Sequence, residues 1–200
     1  MSHPPELRSA FRAAAAMMRD ARHIVALVGA GISAESGIPT YRGPDGLWTK
    51  FGEPTIDGWQ LFCTDPAAWW ERAIAVRSEG SEFARAIAAA VPNPGHLALA
   101  EMERLGYLKH IITQNIDNLH QEAGSVAITE IHGNRTKQRC IGCARRWQRE
   151  EVVSDPSTSL RAGDIPPRCP DCADLVKSDT VMFGEPIPRD AIESCHREAE

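Results

Sequence analysis

The chain has 200 residues, 42% of them hydrophobic, and a net charge of -5. That length buries one core with an insertion, and the acidic balance argues against a general nucleic-acid binder, so no specific nucleic-acid partner is expected. No apolar run approaches membrane-spanning length, and no cleavage-site pattern follows Ala13 to Met18; the expectation is a cytoplasmic protein with no membrane partner.

Pro4-Pro5 leads into a helix from about Glu6 to Ala21, where Leu7, Phe11, Ala14, Ala15 and Met18 keep helical spacing and predict one buried stripe. Ile24 to Val28 is an unbroken apolar run, the pattern of a parallel strand covered on both faces. Gly29-Ala30-Gly31-Ile32-Ser33-Ala34 follows with the G-x-G-x-x-G/A spacing of a dinucleotide-phosphate turn. The helix it should open is soon cut by Gly37, Pro39, Gly43, Pro44 and Gly46. Thr40, Tyr41 and Arg42 then fall on an irregular segment, where a ring and a cation can cover a bound cofactor. Residues 43–62 read as loop, and Trp48, Phe51, Trp59 and Phe62 there form either a satellite core or a cofactor lid.

Asp65-Pro66 opens a helix to about Glu79, stopped by Gly80; Ser81 caps a second, ending before Pro92; Asn93-Pro94 opens a third, closed by Gly106. Leu108 to Thr113 is the second strand, with Gln114-Asn115-Ile116-Asp117 at its C-terminal end. A short helix from Asn118 to Ala123 leads to a third strand, Val126 to Ile131, ending in His132-Gly133-Asn134. The polar motifs thus land at one edge of one parallel sheet, where open α/β sheets bind ligands. Asn115 and Asp117 can bind hydroxyls and a carboxamide, or can simply cap a turn.

Cys140-x-x-Cys143 and Cys169-x-x-Cys172 stand 25 residues apart, and the polar stretch Ser154 to Pro167 between them reads as a tolerant loop. Two such knuckles complete a tetrahedral zinc shell of four thiolates, which makes the zinc structural. Arg139, Arg145, Arg146 and Arg149 admit a nucleic-acid-binding zinc ribbon, although such charge runs are usually solvated faces. Cys63 and Cys195 read as ordinary thiols. Ser178 to Phe183 is expected to return as a strand into the main sheet, broken by Gly184-Glu185-Pro186, with a final helix from near Arg189.

Gly29-Ala30-Gly31-Ile32-Ser33-Ala34-Glu35-Ser36-Gly37-Ile38-Pro39 closely resembles the signature of the sirtuins, the NAD-dependent protein-lysine deacylases. Thr113 to His120, His132-Gly133-Asn134, the two cysteine pairs and Phe183-Gly184-Glu185 carry the resemblance to the end of the chain. It implies an α/β fold: a Rossmann-like parallel sheet, incomplete at the C-terminus, with a helical module and an inserted zinc-ribbon module. The expected segments are 1–50 (first part of the Rossmann-like domain with the NAD loop), 51–107 (cofactor loop and helical module), 108–135 (Rossmann-like continuation with the catalytic motifs), 136–177 (zinc-binding module) and 178–200 (return to the Rossmann-like domain, truncated). A family core would continue past Glu200 with a Gly-Thr-Ser-type motif, so either a fragment of a longer chain or a naturally truncated product is expected.

The resemblance also implies the reaction: acetyl-lysine and NAD give lysine, nicotinamide and O-acetyl-ADP-ribose, with acetylated lysine in protein substrates as the partner. His132 matches the catalytic base, a role that suits imidazole near neutral pH, with His120 a weaker second. Asn115 and Asp117 match the catalytic residues that orient the nicotinamide ribose and carboxamide. Gly29, Ala30, Gly31, Ala34, Glu35, Tyr41, Arg42, Trp48, Gln114 and Ile116 complete the NAD contacts. Zinc falls to Cys140, Cys143, Cys169 and Cys172. Thr40-Tyr41-Arg42 replaces the frequent Asp-Phe-Arg and keeps a ring over the reacting centre. Desuccinylating relatives carry a Tyr-x-x-Arg pair where this chain has Ala73 and Val76, with Arg77 one place off, so neutral acyl groups are expected. A substrate peptide is expected as an added strand between Val181-Met182-Phe183-Gly184-Glu185 and the zinc module side. An inactive NAD-binding module and a protein mono-ADP-ribosyltransferase are the alternative functions.

Overall fold

The computed structural model describes residues 4–44, 46–79, 81–149 and 165–200, with the backbone alone for 76–79. After helix α1 (Pro5–Asp20) comes β1 (Ile24–Val28), the edge of a parallel sheet of order β1-β2-β3, with β2 (Leu108–Thr113) central and β3 (Ile128–Glu130) beyond it. Val28 lies opposite Thr113, and Thr113 opposite Glu130. The three strands therefore end level, and the loops after them start along one line. That alignment brings motifs more than eighty residues apart in sequence to one rim.

A 3-10 helix, Ala30–Ser36, follows β1 and stops at Gly37, whose φ of 86° is the left-handed cap that glycine adopts without strain. Two short helices follow, α2 (Leu47–Phe51) and α3 (Gly58–Thr64). These correct the expectation of loop over residues 43–62: Gly46 and Gly52 stand at the ends of α2, where glycine punctuates a helix without interrupting it. The helical module is α4 (Pro66–Glu79), α5 (Glu82–Ala89) and α6 (Pro94–Arg104). Ser81 accepts the Ala84 N–H at 3.0 Å, and Asn93 forms a capping box with His96. Ile38, Ile87 and Leu119, packed with Phe83 and Ala90, tie the glycine turn, α5 and α7 (Leu119–Glu122) together beneath the rim.

The second sheet is antiparallel, of order β5-β4-β6, built from β4 (Lys137–Cys140), β5 (Arg146–Gln148) and β6 (Val176–Ser178) around buried Cys140, Trp147, Cys169 and Val176. Trp70 of α4 donates to the Val176 carbonyl at 3.0 Å and ties the helical module to it. Of the polar stretch Ser154 to Pro167, residues up to 164 lie outside the described residues, as do the side chains of Val76 and Arg77.

Two further expectations are corrected. The return strand Ser178 to Phe183 does not join the parallel sheet. Val176–Ser178 pairs with β4 instead, and the Lys177 ammonium takes the carbonyls of Ser178 and Thr180. The chain returns to β3 as helix α8 (Arg189–Ala199), where Ser194 bonds Thr129 at 2.7 Å. The apolar stripe of α1 has the expected spacing but is not buried; Phe11 is 52% exposed.

Candidate functional site

A cavity of about 360 Å³ opens where the strand ends meet the segment before α8. Ala30, Tyr41, Arg42 and Trp48 line it from the glycine-turn side, Gln114, Asn115, Ile116 and His132 from the strand ends, and Val181, Met182, Phe183, Gly184 and Glu185 from the opposite wall. The sheet edge explains the second group. The Gln114 N–H continues the ladder to the Val28 carbonyl at 3.0 Å, which fixes the residues behind it.

His132 is held by Nδ1 against the Gln114 carbonyl at 3.0 Å. A carbonyl only accepts, so Nδ1 carries the hydrogen and the neutral ring keeps its basic lone pair on Nε2. Asn115 donates from Nδ2 to the Gly29 carbonyl at 3.2 Å and to Ser33 Oγ at 3.0 Å. Ser33, 1% exposed, passes its own proton to Asp117 Oδ2 at 2.7 Å and lies 3.4 Å from His96 Nε2. Asp117 Oδ1 also accepts the Leu119 N–H at 3.0 Å, so this carboxylate caps α7 as well. It lines a smaller cavity of about 30 Å³ with Ser33, Phe83 and Ile87, next to the main one. Burial, joined by the Asp117 charge, raises the Tyr41 phenol above its ordinary value.

Gly29, Gly31, Ala34 and Glu35 do not line the main cavity. A side chain at Gly31 would meet open space, so its freedom is not forced by the protein around it. The Arg42 guanidinium lies 4.4 Å above the Trp48 ring, and Trp48 in turn approaches Phe183 at 6.2 Å and Tyr41 at 5.6 Å. These rings bridge the two walls. The four aromatics of residues 43–62 therefore divide: Trp48 faces the cavity, Trp59 stacks on fully buried Phe62 as a satellite core, and Phe51 is exposed. His120 does not line the cavity. It is buried against His96, ring centroids 4.8 Å apart, with neither nitrogen bonded among the described residues. Burial lowers both histidines below their ordinary value; for His120 the neighbouring His96 adds to this.

Ser33, Asn93 and His96 are members of this polar network that the sequence did not single out as site residues. The signal for Ser33 lay inside the glycine motif itself. His96 resembles an ordinary third residue of a helix.

The Sγ atoms of Cys140, Cys143, Cys169 and Cys172 all lie within 4.8 Å of one another, with Cys140 and Cys172 at 3.4 Å. A tetrahedral zinc with bonds of about 2.3 Å sets sulfur–sulfur edges of about 3.8 Å, so the donor set fits. Burial pushes the Cys140 thiol up to about 12, and a bound metal has to displace that proton. A groove of about 550 Å³, lined in part by Trp59, Ile141, Ala144 and Ile187, separates this module from the Glu185 side of the cavity. The Glu185 carboxylate is engaged within the protein. It accepts from Arg139, Lys177 and the Met182 N–H.

The model of the Sir2 family matches residues 29–200. The chain belongs to the Sir2 family. It is 44% identical over 176 residues to an NAD-dependent protein deacetylase of Caldivirga maquilingensis, covering 88% of this chain and 64% of that protein. It is 43% identical over 187 residues to an NAD-dependent protein deacylase of Thermococcus kodakarensis, covering 94% and 69%. A Sir2 structure with a p53 peptide and NAD superposes with a TM-score of 0.65 at 32% identity, over 94% of this chain and 71% of that one. A mutant Sir2 homologue with ADP-ribose gives 0.65 at 36% identity, over 92% and 68%. The chain thus spans about two thirds of the length of these Sir2 relatives.

Proposed function

We propose that this chain carries the acyl-lysine and nicotinamide-ribose side of an NAD-dependent protein-lysine deacetylase, with NAD as co-substrate. The observation that carries this reading is the bare Nε2 of His132, placed in one cavity with Asn115 and the Val181–Gly184 wall. NAD supplies the electrophilic ribose carbon, and the chain's residues do the rest. His132 Nε2 accepts a ribose hydroxyl proton, while Nδ1–H on Gln114 holds the tautomer that allows it. Asn115 is fixed by two donor bonds from Nδ2, which leaves its Oδ1 to accept from the nicotinamide ribose. Tyr41 and Trp48 cover the reacting centre, and Arg42 offers the cation that an anionic cofactor requires.

Among the described residues, the Val181 carbonyl and the Phe183 N–H have no backbone partner. One acceptor and one donor on this segment suit the backbone of a substrate strand. Flanking substrate residues would lie in the groove beside the cysteine module. The wall is apolar at Ile116, Val181, Met182 and Phe183, which favours a neutral acyl group, mainly acetyl. Bound zinc would crosslink the two cysteine knuckles; four thiolates leave it no open position. No helix of the described residues is long and apolar enough to cross a membrane. We place the protein in the cytoplasm, where thiols persist as metal ligands.

The test is nicotinamide release from NAD by the zinc-loaded 200-residue chain, with and without an acetyl-lysine peptide. Acetyl-dependent release with formation of O-acetyl-ADP-ribose is expected. His132→Ala should lower it about 10²–10⁴-fold while zinc content and circular dichroism stay unchanged. Retained turnover in that variant, or release indifferent to the acetyl group, would sink the reading.

A further inference from the structure

Six charged side chains alternate in sign through the junction between the cysteine module and the cavity. Lys177 contacts Glu185 at 3.0 Å, Glu185 contacts Arg139 at 2.6 Å, and Arg139 contacts Asp179 at 3.1 Å. Arg146 continues the chain from Asp179 at 3.0 Å to Asp190 at 2.6 Å. The charges sum to zero, and every member stands on a different element: β6, the wall, β4, the turn after β6, β5 and the first turn of α8. The first four, from Lys177 to Asp179, are almost wholly buried, with Lys177 0% exposed, and the chain opens towards solvent at Arg146 and Asp190.

The chain reaches both walls in one further step. Asp179 Oδ2 accepts the Asn134 N–H at 3.1 Å, and the Val181 N–H donates to the His132 carbonyl at 2.9 Å. Glu185 Oε2 accepts the Met182 N–H at 2.8 Å. The Lys177 ammonium has three protons and three acceptors: Glu185, the Ser178 carbonyl at 2.8 Å and the Thr180 carbonyl at 2.9 Å. These contacts tie the ammonium to the turn that leads from β6 into the wall.

Buried ion pairs seldom stabilise more than well-packed apolar residues of the same volume; their attested use is to fix one geometry among several. We propose that Lys177 is a positioning residue and that this charge chain registers the cysteine module against the cavity, so that the Met182–Glu185 wall keeps its binding shape only while the module is folded. The proposal rests on the deacetylase reading for what the wall binds, but not for the wall's shape.

Hydrogen exchange on the zinc-loaded chain tests it. In Lys177→Met, the bonded amides of Met182, Glu185 and Trp59, the last donating to the Phe183 carbonyl, should exchange at least tenfold faster. Amides of β2 should be unchanged. Lys177→Arg, which keeps the charge and the donors, should restore protection. In steady state, Lys177→Met should raise KM for acetyl-lysine peptide about tenfold, with kcat and KM for NAD within twofold. Unaltered exchange at 182–185, or acceleration shared equally by β2, overturns the proposal. Should Lys177→Met fail to fold, chelation of the metal from the unaltered chain decides: local acceleration at 182–185 supports the coupling, and unaltered exchange there refutes it. A protected wall in a chain that releases no nicotinamide would count against the deacetylase reading alone, and the exchange comparison would still decide this one.

Discussion

The two walls of the cavity are held by different physics. The strand-end wall rests on neighbours in a parallel ladder and on neutral hydrogen bonds: Gln114 to Val28, His132 to Gln114, and Asn115 to Gly29 and Ser33. The Met182–Glu185 wall has no strand beside it in the parallel sheet. It hangs from a buried charge chain and, through β4 and β6, from four cysteines. A ladder wall tolerates the loss of one bond, because its neighbours share the register. A charge-hung wall does not, since one missing partner leaves another charge buried and unpaired. The first wall carries the groups assigned to chemistry and the second carries the substrate contacts. Damage should therefore separate into loss of order on one side and loss of rate on the other.

The largest effect that would expose this asymmetry is expected from Cys140→Ser. Structural zinc contributes on the order of 10 kcal/mol of binding-linked folding energy, and a shell of three thiolates forfeits most of it. The variant should lose zinc and most thermal stability. Where it stays partly folded, the β1–β2 pairing should remain protected while β4–β6 does not. A soluble Cys140→Ser protein of unaltered melting temperature would refute a structural metal and remove the contrast between the walls.

A smaller effect probes a place where the walls meet through backbone. Gly133 has φ of 71°, and a Cβ built there would collide with the Asp179 carbonyl oxygen. Gly133→Ala must therefore push apart the His132 loop and the turn that anchors the charge chain. Backbone strain and overpacking together put the cost at about 3 kcal/mol or more. Denaturant unfolding measures it directly, and a cost under about 1 kcal/mol would show that the two walls move independently.

The ladder wall was legible in the sequence and the charge-hung wall was not, for the same reason. Apolar runs at Ile24 to Val28 and Leu108 to Thr113, the glycine turn, and the caps at Ser81 and Asn93-Pro94 are local signals, and the structure has the corresponding elements. The expected strand at Ser178 to Phe183 rested on an equally local cue, the run Val181-Met182-Phe183. In the structure the Lys177 ammonium, buried among charged partners, holds the Ser178 and Thr180 carbonyls and Glu185, an arrangement that the apolar run does not announce. Helices α2 and α3 went unforeseen because glycine and proline at helix ends look, in one dimension, like loop. The α1 stripe shows the converse limit: periodicity tells which face is apolar, and burial depends on what covers it. At the site, the thiolate cluster and the cavity residues His132, Asn115 and Trp48 were visible as motifs. Ser33 and His96 were not, since a serine inside a glycine turn and a histidine in a capping box have sufficient local reasons to be there.

The smallest predicted effect concerns the neutral network beneath the ladder wall. Burial holds His96 and His120 below the ordinary histidine value, so near pH 6 the folded chain takes up fewer protons at these rings than the unfolded chain does. The unfolded state then binds more protons than the folded one, and stability rises with pH through this window. The contribution is fully present above about pH 6.5 and is lost as pH falls below it, by at most about 1.4 kcal/mol per pH unit for each ring. Melting temperatures between pH 7 and 5.5 should decline accordingly. His120→Leu should flatten the decline, because it removes a ring with two unbonded buried nitrogens and no bond to the cavity residues. Asn115 keeps Gly29 and Ser33 in that variant, so the strand-end wall should hold its shape. An undiminished slope would mean that His120 is charged or hydrated in solution, and that the ladder wall rests on an ionic contact after all.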